Sequence, residues 1–256
     1  MILLRLRRCV ALAWALLVCR IRLYQVLTRG PMTHEMQAAW LRSACEGVLD
    51  ALGVRCHVSG HPPTRGLVVS NHLSYVDILI YGAVMPCAFV SKVEVKKWPY
   101  FGAAARAGGT IFISRTSRAS TAAVAVEIGS RLKGRVPVLL FPEGTSTGGS
   151  SVLPFHAALF EPAVAARAPI TAAAVRYRIE GGGEEQELCW FGDAPFLPHL
   201  WKALGTPGFH AEVSFSEPIV YGDRRSAAAG THEKAVKIRD RWAGHRERIC
   251  FDVAPV

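Results

Sequence analysis

Two stretches of helical periodicity open the chain, and alternating short apolar runs follow. In "MILLRLRRCVALAWALLVCRIRLY" apolar side chains recur between arginines at helical spacing. "PMTHEMQAAWLRSACEGVLDALG" reads as a second helix, with Thr33 as N-cap and Gly53 as the C-terminal stop. Beyond it, strand-like runs appear in "VRCHVSG", "GLVVSN", "CAFVSK", "GTIFISR", "VPVLLFPE", "ITAAAVRYRI", "ELCWFGD" and "HAEVSFSEPIV". Helical patterns fall between them near 77–84, 98–107, 118–133, 153–167 and 227–248, and "EGGGEE" at 180–185 reads as a hairpin turn. Strands alternating with helices predict an α/β fold: a mixed, partly parallel sheet flanked by helices over 54–256, behind an N-terminal helical pair over 1–53.

The first helix is a membrane question. Its uncharged stretch runs from Cys9 to Cys19, between Arg8 and Arg20. As helix that is about 16 Å, against roughly 30 Å of bilayer hydrocarbon. No small-x-small cleavage site follows, so a secretory signal fits poorly. Arginines 5, 7, 8, 20 and 22 around an apolar stripe with Trp14 predict a helix lying in the membrane interface; packing on the core is the plainer alternative. Lys96, Lys97, Trp98, Tyr100 and Phe101 mix cations with aromatics as a lipid interface does, or as a solvated turn does. The C-terminal "THEKAVKIRDRWAGHRER" reads as a basic amphipathic helix capped by Thr231.

Charge narrows the partners. The net charge is +10, the pI near 9.6 and the mean hydropathy +0.22. Such an excess suits membrane headgroups or a phosphorylated ligand. There is no zinc-finger spacing, RNP-like run or basic stripe, so nucleic acid is not expected. Seven scattered cysteines without C-x-x-C read as buried free thiols rather than a disulfide framework or zinc site. His156, His199 and His210 have no ligand spacing, and neither metal nor cofactor is called for.

Polar islands fall where the predicted strands end, which is where α/β sheets place ligands. They are Asn71-His72, Ser114-Arg115 and Glu143-Gly144-Thr145. His72 and Asp77 lie about 140° apart on a single helix, so they meet only if His72 precedes the helix and Asp77 sits in its first turn. Ser74-x-x-Asp77 is also a capping box, so the pair has a purely structural reading. The two readings are compatible, because an N3 carboxylate points back at the helix start. There it can fix an imidazole tautomer and leave the other nitrogen to take a proton. Arg115 emerges at a strand end or is a solvated arginine; the loop after Glu143 offers backbone N–H groups to an anion or is a plain turn.

A rival lies in the same loop. Gly144-Thr145-Ser146-Thr147-Gly148 spells G-x-S-x-G, with Asp193 and then His199, His210 or His232 in the order a serine hydrolase needs. That motif requires a helix directly after the turn, and "TGGSSVLP" is poor helix material.

Taken in order, Asn71-His72-x4-Asp77, Gly109-x-Ile111-Phe112-Ile113-x-Arg115 and Phe141-Pro142-Glu143-Gly144-Thr145 resemble the first three motifs of the glycerolipid acyltransferases, which include the 1-acylglycerol-3-phosphate acyltransferases. The resemblance covers roughly residues 65–180, including the connecting "KVEVKKWPYFGAAARAGG". It implies His72 as the base that deprotonates an acceptor hydroxyl, Asp77 as its orienting partner, and direct attack on acyl-CoA or acyl-carrier protein. It implies a substrate-contacting set of Asn71, Ser74, Arg115, Glu143, Gly144, Thr145 and Ser146. The implied acceptor is first 1-acylglycerol-3-phosphate, giving phosphatidate, and the implied setting the cytoplasmic face of the cell membrane. The chain departs from the pattern in three places. Ser146 stands where arginine is frequent, His156 where lysine is frequent, and "APITAAAV" keeps only Pro169. Two missing cations weaken the case for a phosphomonoester and bring in another lysolipid, such as lyso-ornithine lipid, with Lys92 as candidate compensating cation.

Overall fold

A computed structural model describes residues 1–28, 30–113 and 118–244. Among these, seven strands form one sheet: β1 (Val54–Ser59), β2 (Leu67–Ser70), β3 (Ala88–Lys92), β4 (Ile111–Ile113), β5 (Val138–Leu140), β6 (Ile170–Ile179) and β7 (Phe209–Phe215). The order is β1-β7-β6-β2-β5-β3-β4, and every neighbouring pair is parallel except β6 and β7. The mixed, mostly parallel α/β fold is therefore as the alternating pattern predicts.

Both faces are covered, which is why the central strands are continuous apolar runs rather than alternating ones. On one face Val68, Leu139, Ala173, Val175 and Tyr177 pack with α2 (His34–Leu52) and α3 (Val76–Val84). On the other, Leu67, Val69, Val138 and Leu140 pack with α5 (Arg118–Arg131), α6 (Glu161–Ala165) and α8 (Arg224–Gly244). The second predicted helix has the expected ends: Thr33 Oγ1 accepts from the Met36 N–H, and Gly53 takes the left-handed conformation with φ of 72°. Trp40, Leu41, Cys45 and Leu49 of α2 share one hydrophobic core with residues of the sheet.

α1 (Ile2–Leu27) is a single 26-residue helix, and no described helix is long and apolar enough to cross a membrane. Leu6, Val10, Trp14, Leu17, Ile21 and Tyr24 form an exposed apolar stripe at three- and four-residue spacing. The arginines divide in a way the sequence did not signal. Arg8 is buried and donates to the carbonyls of Leu204, Thr206 and Pro207, while Arg5 lies over the Trp201 ring. These two dock α1 on α7 (Phe196–Gly205), a helix that the periodicity does not predict. Pro195 and Pro198 hide it in the sequence, yet Pro198 falls in the first turn, where a missing N–H costs little.

Three further expectations are corrected. "ELCWFGD" is no strand but a 3₁₀ turn, Glu185–Leu188, followed by a loop whose Trp190 N–H donates to the Leu73 carbonyl. The glycines after β6 do turn the chain, with positive φ at Gly181, Gly182 and Gly183. The antiparallel partner β7 nevertheless begins only after α7, so 180–185 is not a hairpin loop. Thr231 lies inside α8 and donates to the Ala227 carbonyl; Asp223 is the residue that accepts the Arg225 and Ser226 N–H groups at the start of that helix. The predicted end of that helix, 245–248, lies outside the described residues. The six described cysteines are unpaired, and burial pushes the Cys45 thiol up to about 12.

Candidate active site

The carboxyl ends of β2, β5, β3 and β4 lie side by side, and each leads into one of the polar islands or into Lys92. β2 ends at Ser70, and a short loop carries His72 to the start of α3. The Asn71 side chain pins that loop to β6: its Oδ1 accepts from the Val175 N–H at 2.9 Å and its Nδ2 donates to the Val175 carbonyl at 3.1 Å. The amide thus continues the β2–β6 ladder beyond the last strand residue.

Asp77, fully buried in the first turn of α3, is the hub. Its Oδ2 accepts from the Leu73 N–H at 2.7 Å and the Ser74 N–H at 3.1 Å, and it meets His72 Nδ1 at 2.8 Å. Ser74 Oγ accepts from the Val76 N–H at 3.4 Å. The capping box forms only in part: the Asp77 carboxylate accepts the Ser74 N–H, but the helix begins at Val76 with Tyr75 as its N-cap and the Asp77 N–H goes to the Ser74 carbonyl; the same carboxylate holds the imidazole. With Nδ1 held by Asp77, the free position is Nε2, which has no hydrogen-bond partner among the described residues. The imidazole keeps 21% of its surface exposed. It also stacks on Phe141 at 4.1 Å between centroids and 12° between planes, which covers one face of the ring and leaves the Nε2 edge available.

The loop after β5 holds the His72 peptide from both sides. Glu143 Oε1 accepts the His72 N–H at 2.7 Å, and the Thr147 N–H donates to the His72 carbonyl at 2.9 Å. Glu143 Oε2 accepts from the Leu153 N–H at 2.9 Å, closing the loop on itself. Burial raises the pKa of this carboxyl, opposed by those two N–H donors. Gly144, with φ of 74°, makes the turn that lets the chain fold back.

The expected substrate-contacting residues thus separate into two groups. Asn71, Ser74 and Glu143 are buried, with their side chains on backbone groups. Gly144, Thr145 and Ser146 lie on the accessible part of the loop, and Lys92 is exposed at the end of β3, opposite Ile113 in register. Arg115 lies outside the described residues. Two participants were not foreseen. Tyr177 donates its hydroxyl to Asp77 Oδ1, and Tyr75 joins Trp190, Phe196 and His199 in an aromatic cluster beside the His72 loop. Tyr177 carries a faint sequence signal, being a large side chain on the core-facing register of an otherwise alanine-rich strand.

The hydrolase geometry is not present. No helix follows Ser146; the first helical turn comes at Ala157–Phe160. Each candidate histidine is engaged elsewhere: His199 with Tyr75, His210 with His57, and His232 with the Val152 carbonyl. Ser146→Ala is accordingly expected to leave substantial turnover, and a serine-directed covalent probe to leave the protein unlabelled, as mass spectrometry of the intact chain will show. Among the described residues no His, Cys, Asp or Glu cluster could hold a metal ion.

Comparison with known proteins bears on the same region. Residues 54–176 match the family model described as Acyltransferase. A lyso-ornithine lipid O-acyltransferase of Rhodobacter capsulatus is 37% identical over 204 residues, covering 75% of this chain and 72% of that protein. One of the same name from Pseudomonas aeruginosa is 33% identical over 210 residues, covering 81% and 79%. A 1-acyl-sn-glycerol-3-phosphate acyltransferase of Neisseria meningitidis serogroup B is 39% identical over 173 residues, covering 66% and 67%. The crystal structure of the 1-acyl-sn-glycerophosphate (LPA) acyltransferase PlsC from Thermotoga maritima matches with a TM-score of 0.70 at 18% identity, over 96% of this chain and 98% of that one. At that identity the match speaks for the fold.

Proposed function

The chain belongs to the acyltransferase family that includes the lyso-ornithine lipid and 1-acylglycerol-3-phosphate enzymes, and from that membership we propose that it O-acylates a lysolipid by direct attack, with His72 as general base. The observation that carries the mechanism is the His72 Nδ1 to Asp77 Oδ2 contact at 2.8 Å, which leaves Nε2 as the proton-accepting edge. In the reaction Nε2 takes the proton of the acceptor hydroxyl as its oxygen attacks the thioester carbonyl of acyl-CoA or acyl-carrier protein. The tetrahedral intermediate collapses, the C–S bond breaks, and the departing thiolate recovers the proton from the imidazolium. Asp77 stabilises that imidazolium while it exists. No acyl-enzyme forms.

The acceptor we favour is a lyso-ornithine lipid, with 1-acylglycerol-3-phosphate second. A phosphate dianion is held best by several charge-assisted contacts. The accessible loop at 144–148 carries no cation, and position 156 is an exposed histidine whose backbone N–H is tied to the Pro142 carbonyl. Lys92, exposed at the end of β3, then offers a single charge there, which suits one carboxylate better than a phosphate dianion. The two relatives of that name also match over a larger share of this chain than the Neisseria phosphate-lipid enzyme. The exposed stripe of α1, continued by partly exposed Trp98, Phe101, Leu197 and Trp201, supports delivery of the lipid from a membrane surface. The test is acyl transfer by the purified full chain to lyso-ornithine lipid and lysophosphatidate side by side, with product read by mass spectrometry. Faster transfer to the first is expected. Transfer to lysophosphatidate alone reverses the acceptor and leaves the mechanism standing, whereas transfer to neither, with acyl-CoA and acyl-carrier donors both supplied, sinks the proposal.

A further inference from the structure

The geometry points to Tyr177 as a positioning residue of the reaction: the third group of a His72–Asp77–Tyr177 relay, whose hydroxyl sets how strongly Asp77 pulls on the imidazole. This rests on the reading of His72 as the base.

Tyr177 lies on β6, 100 positions from Asp77 in sequence, and its hydroxyl hydrogen goes to Oδ1, the carboxylate oxygen that His72 does not use. The side chain is almost wholly buried, and its ring meets Phe209 edge to face at 5.5 Å. Its placement is itself secured. The Tyr177 N–H donates to Glu185 Oε1 at 2.8 Å, and Arg239 of α8 grips both oxygens of Glu185 at 3.0 and 2.7 Å. The same guanidinium donates to the Val175 carbonyl and to the Gly149 carbonyl of the loop that holds His72. The titratable groups facing Tyr177 are therefore Asp77 from α3, and Glu185 and Cys189 from the segment after β6, with Arg239 behind Glu185. Burial, and then the neighbouring Asp77 charge, push the phenol well above its ordinary value, so it stays a neutral donor.

A structural filler would need only the ring. The hydroxyl does something the ring cannot: it shares the Asp77 negative charge with Oδ1 and so weakens the pull of Oδ2 on the imidazolium. A base held too tightly as imidazolium is empty at neutral pH for too few molecules, and one held too loosely does not take the proton; the hydroxyl tunes between these limits.

Tyr177→Phe keeps the ring and removes only the donor. It is expected to lower kcat on the order of tenfold, to leave acceptor KM within about twofold, and to move the acidic limb of the kcat/KM profile upward by about half a pH unit. Replacing Tyr177 by 3-fluorotyrosine, a stronger donor of nearly the same shape, is expected to move that limb downward. Unchanged turnover, a loss confined to KM, or a loss with an unmoved limb overturns the role. Should Tyr177→Phe not fold by thermal melting, the fluorotyrosine chain decides alone, and an unmoved limb overturns the role. His72→Ala run in parallel separates the two ideas. If it retains turnover, the general-base reading fails; if it is inactive while both Tyr177 variants titrate like the parent, only the relay fails.

Discussion

Replacing His72 by alanine is expected to lower kcat for acyl transfer by about 10²–10⁴, the range that a positioned general base supplies. The site is arranged so that this loss falls on chemistry and not on folding. The His72 backbone, held by Glu143 and by the Thr147 N–H, is untouched by the change, and Asp77 keeps its two backbone donors and Tyr177. What disappears is the ring stacked on Phe141, a partly exposed contact whose removal costs little against a domain of this size. Circular dichroism and melting temperature should therefore stay close to those of the parent while turnover collapses. His72→Gln makes the stricter comparison, since it restores a hydrogen-bonding side chain without a titrating nitrogen and should be as inactive as His72→Ala. If either variant keeps more than a tenth of the parental kcat, another group takes the proton and the mechanism is wrong.

How much of this could be read from the sequence follows from how local each feature is. Thr33 and Gly53 bound α2 as expected because a cap and a left-handed stop are settled within a single turn. The His72 and Asp77 meeting was legible for the same reason, since a five-residue spacing across a helix start leaves few arrangements. α7 was not legible. Its prolines mimic a loop, and its dock is Arg8, almost two hundred residues earlier in the chain. "ELCWFGD" has strand composition, but Glu185 is held by Arg239 and the Trp190 N–H by the Leu73 carbonyl, and these tertiary partners override the local preference. The buried roles of Asn71 and Glu143 are of the same kind. Their substrate-contacting roles are what the motif resemblance implies, whereas their backbone partners on β6 and on the loop after Glu143 depend on tertiary placement that no local pattern carries. Tyr177 illustrates the limit best, because nothing in "AAAVRYRI" says that β6 will lie beside the extension of β2.

Under the proposed mechanism fold and reaction both depend on the Asp77 side chain, so its two obvious substitutions should part company. Asp77→Ala strands the Leu73 N–H, the Ser74 N–H and the Tyr177 hydroxyl in a fully buried site. Each unpaired group costs about 1–3 kcal/mol, so a stability loss of roughly 3 kcal/mol or more is expected, read as a lower denaturation midpoint. Asp77→Asn keeps the shape and one acceptor oxygen. If that oxygen takes the Oδ2 position, both backbone N–H groups stay paired, and the phenol oxygen of Tyr177 accepts from the new amide. Stability should then fall by less than half as much. Activity should fall nonetheless, on the order of 10²-fold in kcat, because a neutral amide gives the imidazolium no counter-charge. The sign of the pH effect follows from the same argument. Without the carboxylate the protonated base is less favoured, so the acidic limb of kcat/KM moves to lower pH, opposite to the shift expected for Tyr177→Phe. A stable Asp77→Asn protein with parental kcat would reduce Asp77 to a helix cap and leave His72 without an orienting partner.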